Sequence, residues 1–311
     1  MVNKISKIPC LSKIHPDFHR LAKSAKSLNK KWRTMNKNYS VLMAVYGKDN
    51  PEYLRQSIES MLNQTIPPEQ FVLVQDGPLT EDLYSVIDSY VKKTATFTII
   101  RIETNLGLGN ALDKGLQYCR NELVARMDAD DISRPTRCEK ELQLFEDNKN
   151  LSICGCNIDE FYGHQSNVRT SRVVPSEYKD ILKFMKKRQP FNHPTVMYKK
   201  TKVLESGGYT LLKRKEDFDL FSRMLLNGNY ALNINESLYL YRADENNYRR
   251  RKNWVNAKSA ITVYTRHYKR KGCSFIDWII ICTAELLFWL APYSLMKLLS
   301  DKFLRKKSKY I

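Results

Sequence analysis

Short apolar runs alternate with amphipathic stretches from Tyr39 onward. Residues 40–46 and 71–75 are nearly continuous apolar runs, a pattern typical of strands that are covered on both faces. Between them, Pro51 begins a stretch with apolar residues at helical spacing. The alternation continues with predicted helices at about 81–93 and 108–120 and predicted strands at 97–102 and 122–127. This order predicts an α/β fold with a doubly wound, mainly parallel sheet and helices on both faces.

The second half of the chain has a less regular pattern. It predicts strands near 151–161 and 237–241, an apolar segment at 195–198, and helices near 176–187 and from about 216 to 226. In parallel sheets, ligands bind beyond the carboxyl ends of the strands. We therefore expect the residues at the predicted strand ends to converge on one crevice; these are 44–46, 76, 105–109 and 128–131.

Three carboxylates, Asp128, Asp130 and Asp131, follow directly after a predicted strand. Carboxylates at a strand end can build a hard-oxygen site that holds Mg²⁺ or Mn²⁺ against phosphates. An acidic turn before a helix explains the same residues, with Ser133 as N-cap and Pro135 just inside the helix. The segment alone leaves both interpretations open.

Three further motifs also have two interpretations. Residues 105–110 are similar to a dinucleotide fingerprint, but Leu112 occupies the place of the third glycine, so hydride transfer is disfavoured. A turn containing Gly107 that lets the backbone approach a diphosphate fits the same residues. Asp76 either begins a turn or accepts hydrogen bonds from a nucleobase or ribose. Glu216 and Asp217 suit the first turn of any helix.

Taken together, eight strings in order resemble the family 2 glycosyltransferases, which are inverting enzymes of the GT-A fold with nucleotide-sugar donors. The resemblance covers about residues 39–245 and is nearest to the amylovoran-biosynthesis type of bacterial surface-polysaccharide pathways. The strings are Ser40-Val-Leu-Met-Ala-Val-Tyr46, Asn50-Pro-Glu-Tyr-Leu54, Asp76-Gly-Pro-Leu79, Asn105-Leu-Gly-Leu-Gly109, Ala125-Arg-Met-Asp-Ala-Asp-Asp131, Asn192-His-Pro-Thr-Val196, Gly207-Gly-Tyr209 and Glu216-Asp-Phe-Asp-Leu220.

The resemblance implies roles at the donor end of the site. Ala44, Tyr46 and Glu52 would line the nucleotide pocket, and Asp76 would contact the base. The turn at Gly107 would approach the diphosphate. Ala44 stands where many members of the family have proline, and Asp113 stands where many have asparagine.

The resemblance also implies which carboxylates do the chemistry. Asp128-Ala129-Asp130 is similar to the DxD motif, so Asp130 would bind Mn²⁺ or Mg²⁺, and Asp128 would contact the ribose or the metal. Asp217, next to Glu216, would remove the proton from the acceptor hydroxyl. Asp131 is assigned only to the turn. His193 and His267 are candidates for a third metal ligand.

The net charge of +19 is concentrated in three segments. Residues 1–38 carry +9, residues 242–272 carry +8 and residues 297–309 carry +5, which leaves the rest of the chain slightly acidic. A nucleic-acid enzyme would carry its basic residues around the active site. Basic ends beside an apolar segment suit an anionic membrane surface better.

Seven cysteines without paired spacing are typical of reduced thiols in a cytosolic protein.

The apolar segment 278–296 approaches membrane-spanning length but contains Glu285 and Pro292. A span would place basic clusters on both sides of the membrane, against the positive-inside tendency. We prefer a helix inserted into one leaflet over a span, and a dimer interface is a further alternative. The expected organisation is a basic extension at 1–38, a GT-A domain at 39–245 and a helical, membrane-associating tail at 246–311.

The sequence thus predicts an inverting transferase at the cytoplasmic face of a bacterial inner membrane. It would move a hexose or an N-acetylhexosamine from a nucleotide-sugar donor, expected to be a UDP-sugar, to a lipid-linked saccharide for capsule, exopolysaccharide or O-antigen. A nucleic-acid-binding protein with basic termini and an inactive membrane scaffold are the competing hypotheses. The slightly acidic middle disfavours the first, and the retention of Asp128, Asp130 and Asp217 disfavours the second.

Overall fold

The computed structural model describes residues 38–243 and 253–291 and the backbone of residues 306 and 307. The predicted basic extension therefore lies outside the described residues, apart from Asn38. The same holds for most of the tail beyond residue 291, including the predicted turn at Pro292.

The helices and strands of the described residues follow the predicted order closely in the first half. The helices are α1 (Pro51–Leu62), α2 (Glu81–Val91), α3 (Leu108–Tyr118), α4 (Arg137–Asp147), α5 (Tyr178–Met185), α6 (Lys200–Glu205), α7 (Glu216–Leu226), α8 (Trp254–Lys269) and α9 (Phe275–Leu290). The strands are β1 (Tyr39–Val45), β2 (Gln70–Asp76), β3 (Phe97–Ile102), β4 (Leu123–Asp128), β5 (Ile132–Ser133), β6 (Leu151–Phe161), β7 (Val168–Arg172), β8 (Met197–Lys199), β9 (Tyr230–Arg242) and β10 (Lys306–Lys307).

The strands of the described residues form one mixed sheet in the order β10-β7-β6-β8-β4-β1-β2-β3, and β9 pairs with β6 and β5. The strands β4, β1, β2 and β3 are parallel neighbours, which confirms the prediction for this half. The other half is mixed, because β8 runs antiparallel to β4 and β6. A short connection also makes β6 and β7 an antiparallel hairpin.

The core lies where α3 covers the parallel strands. Leu42 and Val72 of the sheet and Leu116 of the helix are fully buried in one apolar cluster. Burying a side chain of this kind contributes about 1.5–3 kcal/mol. The continuous apolar runs of β1 and β2 therefore stabilise these two strands when both of their faces are covered. This packing holds the carboxyl ends of β1, β2 and β4 at one edge.

The predicted helix cap at Ser133 is wrong. Ser133 lies in β5, where it pairs with Tyr239 of β9, and the following helix begins at Arg137. The Gln64 side-chain amide donates to the Ser133 hydroxyl at 3.1 Å and to the Arg134 carbonyl at 2.9 Å. These partners are remote in sequence, and they hold the segment extended where the local pattern favoured a helix.

Two strands of the second half differ from the prediction. The last long strand begins at Tyr230, and its first seven residues had no predicted strand. The strand β7 was not predicted, because its sequence is polar and only one of its five residues is buried. Both strands are specified by pairing with the fully buried β6.

The last two described helices follow α7 in the packing, since α8 packs against α7 and α9 packs against α8. The rings of Phe218 in α7 and Tyr264 in α8 lie 4.7 Å apart between centroids. In α9, Ile281 is buried, whereas Ile276, Ile280 and Leu287 on the outer face are more than half exposed. Among the residues that the structure describes, none of the helices has the length and apolar character needed to cross a membrane.

Candidate active site

The carboxyl ends of β1, β2 and β4 bring the first group of predicted site residues to one edge of the sheet. Because β1 lies between β2 and β4, Ala44 is paired with Val74 on one side and with Asp128 on the other. The Ser57 hydroxyl of α1 donates to the Asp128 carbonyl at 2.6 Å and fixes the end of β4. Ala44 is half-buried at this edge.

Three carboxylates form a cluster just beyond β4. Oxygen atoms of Asp128, Asp130 and Asp131 lie within 4.8 Å of one another, and no other group of three potential metal ligands exists among the described residues. Asp130 is exposed, Asp128 is half-buried and Asp131 is fully buried. The structure therefore brings Asp131 into the cluster, in addition to its predicted role in the turn.

The cluster concentrates negative charge where water is partly excluded. Although Asp130 keeps contact with solvent, desolvation in the crevice and the neighbouring Asp128 raise its pKa to about 6. Burial, Asp130 and Asp128 raise the pKa of Asp131 well above its usual range. Closely spaced carboxylate oxygens suit the hard, octahedral cations Mg²⁺ and Mn²⁺. A divalent cation bound by Asp130 and Asp128 would relieve this repulsion.

The two candidate histidines do not belong to this cluster. His193 exchanges a 3.0 Å hydrogen bond with the Tyr209 hydroxyl, and burial lowers its pKa well below the usual value. His267 is fully buried in α8, where its ring packs against Phe218. The structure therefore gives neither residue the position of a third metal ligand.

Three site residues were not predicted from the sequence. Arg126, only 1% exposed, forms an ion pair with Asp128 at 2.5 Å. Arg242, at the end of β9, donates its backbone N–H to Asp131 at 2.7 Å and its Nε–H to the Asp130 carbonyl at 2.8 Å. Both arginines hold cluster residues in place. An arginine within an apolar strand is unusual, so the sequence could have indicated a role for Arg126. The residues around Arg242 in the sequence gave no such indication.

Asp49 is the third such residue. Its carboxylate accepts the Tyr46 N–H at 2.9 Å. Desolvation, together with the charges of Asp130 and Asp128, raises its pKa to about 7. The loop after β1 thus adds a fourth carboxyl group to the electrostatic environment of the cluster.

Asp76 fastens the glycine-containing turn between β3 and α3. Its two carboxylate oxygens accept the N–H groups of Leu106 and Gly107 at 2.8 and 2.9 Å. Gly107 has φ +89°, a conformation that residues with a Cβ rarely adopt. The Asp76 carboxylate therefore fixes the conformation of this turn. Each of its oxygens can still accept a hydrogen bond from a ligand.

A cavity of about 390 Å³ lies beside this turn. Its lining residues come from the ends of β1 and β2 and from the loop after β3; they are Tyr46, Gly47, Lys48, Asp76, Gly77, Pro78 and Asn105. Tyr46 and Asp76 of the predicted nucleotide pocket are thus brought together. Glu52 lies elsewhere, in the first turn of α1, where it pairs with Arg55 at 3.1 Å and accepts from Gln56.

The second pair of predicted carboxylates begins α7. The preceding residue, Lys215, has φ +64° and turns the chain into the helix. Glu216 is 8% exposed, and burial followed by the charge of Asp217 raises its pKa to about 7. Asp217 is half-buried and its Oδ1 accepts the Phe218 N–H at 2.8 Å. A Cβ on Gly109 would lie 3.1 Å from the Glu216 Cβ, so α3 and α7 approach closely.

The sequence is similar to known glycosyltransferases over most of its length. An uncharacterized glycosyltransferase of Haemophilus influenzae is 35% identical over 268 residues, which are 86% of this chain and 99% of that protein. The amylovoran biosynthesis glycosyltransferase AmsE of Erwinia amylovora is 34% identical over 85% of this chain and 98% of its own. A UDP-Gal:alpha-D-GlcNAc-diphosphoundecaprenol beta-1,3-galactosyltransferase of Escherichia coli is 34% identical, with 86% and 97% covered.

Solved structures share the fold at low sequence identity. A mannosyltransferase from Pyrobaculum calidifontis in complex with GDP-Man and Mn²⁺ has a TM-score of 0.58 and 13% identity, covering 91% of this chain and 84% of that one. Staphylococcus aureus TarS 1–349 in complex with UDP-GlcNAc has a TM-score of 0.57 and 16% identity, covering 86% and 71%. The mixed sheet and its helices therefore form the GT-A glycosyltransferase fold.

A family model described as glycosyl transferase family 2 matches residues 40–215, more than half of the chain, and this protein belongs to that family.

Proposed function

We propose that this protein is an inverting glycosyltransferase of surface-polysaccharide synthesis. It moves a hexose from a UDP-sugar to a hydroxyl group of a lipid-linked saccharide that becomes capsule, exopolysaccharide or O-antigen. The observation that carries the proposal is the acidic cluster at the end of β4, which lies in the same domain as the carboxylates of α7. The relatives in amylovoran and diphosphoundecaprenol-linked synthesis support the acceptor class.

The donor binds at the carboxyl ends of β1, β2 and β4. Tyr46 and Asp76 contact the nucleoside in the cavity beside the turn at Gly107, and Ala44 lies at the same edge of the sheet, beside Asp128. Asp130, with Asp128 directed to the ribose or to the same ion, holds Mn²⁺ or Mg²⁺. A cation held there would act as a Lewis acid that stabilises the diphosphate leaving group. The structural neighbour in complex with GDP-Man and Mn²⁺ supports a nucleotide-sugar donor and a divalent cation in this fold.

The acceptor reacts from the side of α7. Asp217 is more accessible than Glu216 and lies at the N-terminus of the helix, where the backbone stabilises a carboxylate. It takes the proton from the attacking hydroxyl as general base. A single displacement at the anomeric carbon inverts its configuration. Glu216, with its raised pKa, keeps a second carboxyl group next to the base without a second full charge near neutral pH.

The outer face of α9 rests on an anionic membrane surface. This face exposes apolar side chains along the whole helix; they are Phe275, Ile276, Ile279, Ile280, Leu286, Leu287 and Leu290. The preceding segment 269–271 consists of three lysines or arginines. An apolar helix face beside basic residues suits the headgroup region of the cytoplasmic leaflet, where a lipid-linked acceptor is presented.

The test is a screen of nucleotide sugars for thermal stabilisation that depends on Mn²⁺. A donor that binds raises the melting temperature by mass action. The Asp130→Asn variant should lose this stabilisation and at least 10²-fold of the transfer rate. The matched control is Asp88→Asn, which changes an exposed carboxylate of α2 and should leave both measurements unchanged. Full activity of Asp130→Asn in saturating Mn²⁺ would show that the metal site is assigned to the wrong residue.

A further inference from the structure

A second and larger cavity, of about 720 Å³, lies on the other side of the turn at Gly107. It is bounded by the first half of α3, the loop before α7 and the last turn of α8. Its lining residues are Leu106, Asn110, Asp113, Lys114, Tyr209, Thr210, Leu211 and Arg266. The turn separates the two cavities, since Asn105 lines the smaller cavity and Leu106 lines the larger one.

The larger cavity adjoins the carboxylates of α7. Gly109, next to Asn110 of the cavity wall, approaches the Glu216 side chain so closely that a Cβ would be 3.1 Å away. The same Cβ would lie 3.3 Å from the Thr210 carbonyl. Thr210 lines the cavity, so the cavity lies next to the first turn of α7.

Two cationic side chains line this cavity. Lys114 and Arg266 are both exposed, and neither forms an ion pair with a carboxylate in the described part of the chain. Asp113 is the single carboxylate of the lining, and its Oδ1 accepts the Tyr209 N–H at 2.9 Å. Lys213 and Arg214 extend the positive charge along the adjoining loop. This wall attracts anions, in contrast to the acidic donor end.

Apolar side chains continue from the cationic wall. Leu211, 86% exposed, stands at the rim of the cavity. On α8, Arg266 is followed by the exposed Tyr268, whose ring stacks with Trp278 of α9 at 5.6 Å. The cavity near the carboxylates of α7 thus contains cations and has the exposed apolar Leu211 at its rim, and further exposed apolar residues follow on α8 and α9. A sugar joined through phosphate to a lipid has matching groups in the same order, namely hydroxyl groups, a negative charge and an apolar chain.

We propose that the larger cavity is the acceptor site, where Lys114 and Arg266 bind the phosphate group that joins the acceptor sugar to its lipid. This inference rests on the proposed function and adds the residues that recognise the acceptor. The guanidinium of Arg266 can donate two parallel hydrogen bonds to a phosphate, and Lys114 adds a point charge. The sugar then lies beside Asp217, and the lipid leaves along α8 and α9.

The test measures binding of geranyl diphosphate as the probe. EDTA is present to remove divalent cations, so that the probe does not bind at the metal-dependent donor site. The double variant Lys114→Gln/Arg266→Gln should bind the probe at least tenfold more weakly than the wild type. Lys92→Gln/Arg101→Gln, which also removes one exposed lysine and one exposed arginine, should bind it like the wild type. Geraniol, which lacks the diphosphate, should not distinguish the variants.

Two further measurements separate the sources of phosphate. Binding of UDP-sugar with Mn²⁺ should be unchanged in Lys114→Gln/Arg266→Gln, and so should binding to vesicles that contain phosphatidylglycerol. Equal probe affinity in both double variants overturns the inference, and so does a parallel loss of vesicle binding, which would assign the cations to lipid headgroups. Absence of any Mn²⁺-dependent donor binding in the wild type would instead contradict the proposed function itself.

Discussion

Asp128, Asp130 and Asp131 have the same chemistry in sequence, but their surroundings make them different acids. Asp131 is fully buried and accepts a backbone N–H, Asp128 is paired with Arg126, and Asp130 faces solvent. A metal ion needs an accessible oxygen, which Asp130 provides. Residue type therefore predicted a cation site, whereas burial decides which oxygen a ligand reaches.

The proposed base is tested by Asp217→Asn, which keeps the shape of the side chain and removes its basicity. We expect the transfer rate to fall by about 10²-fold or more, while the affinity for the donor with Mn²⁺ stays unchanged. Single-turnover transfer and donor titration measure the two effects separately. A parallel loss of donor affinity would indicate that Asp217 supports the structure of the donor site.

The neighbouring Glu216 predicts a pH dependence of stability. Its pKa is raised from 4.5 to about 7 in the folded protein, so the folded state holds a proton that the unfolded chain releases. The stabilisation is complete below about pH 4.5 and is lost as the pH rises through about 7. The unfolding free energy of the wild type therefore decreases as the pH rises. In Glu216→Gln this decrease should be smaller by about 1–3 kcal/mol.

Urea unfolding between pH 5 and 8 in a chelator measures this effect. The control is Glu103→Gln, which changes an exposed carboxyl group after β3 and should follow the wild-type pH profile. If Glu216→Gln also runs parallel to the wild type, the carboxyl group titrates normally in the folded protein.

At the scale of elements, the turn between β3 and α3 depends on one backbone conformation. Gly107 has φ +89° with no atom within 4 Å of an added Cβ, so Gly107→Ala costs about 1 kcal/mol through backbone strain alone. Because Asp76 holds this turn, we expect the variant also to weaken donor binding at least tenfold. Gly163→Ala, at φ +69° in the β6–β7 hairpin and equally open, should lose similar stability without affecting the donor.

Elements were predictable where their stabilisation is local or where burial covers both faces. The apolar runs of β1 and β2 and the apolar face of α3 have their own periodicity, so their positions were predicted correctly. The segment at Ser133 and the polar strand β7 were not, because pairing with β9 and β6 determines their conformation. Local patterns contain no information about such remote partners.

At the scale of the whole molecule, the exposed face of α9 predicts membrane binding. Ile276→Ser/Ile280→Ser should weaken co-sedimentation with anionic vesicles at least tenfold, because each isoleucine contributes about 1.5–3 kcal/mol when it leaves water. Val91→Ser/Tyr118→Ser, which also removes two exposed apolar side chains, is the control and should bind normally. Equal binding of both double variants would show that the basic segments alone account for membrane contact.

The sequence by itself determined the family, the parallel half of the sheet and the carboxylates of the candidate site. It could do so because these features are carried by short runs of consecutive residues. Only the tertiary structure placed Arg126 and Arg242 against the acidic cluster of Asp128, Asp130 and Asp131, and only it formed the cationic cavity of Lys114 and Arg266. The contacts of Arg242 with the cluster join residues up to 112 positions apart, which only folding brings together.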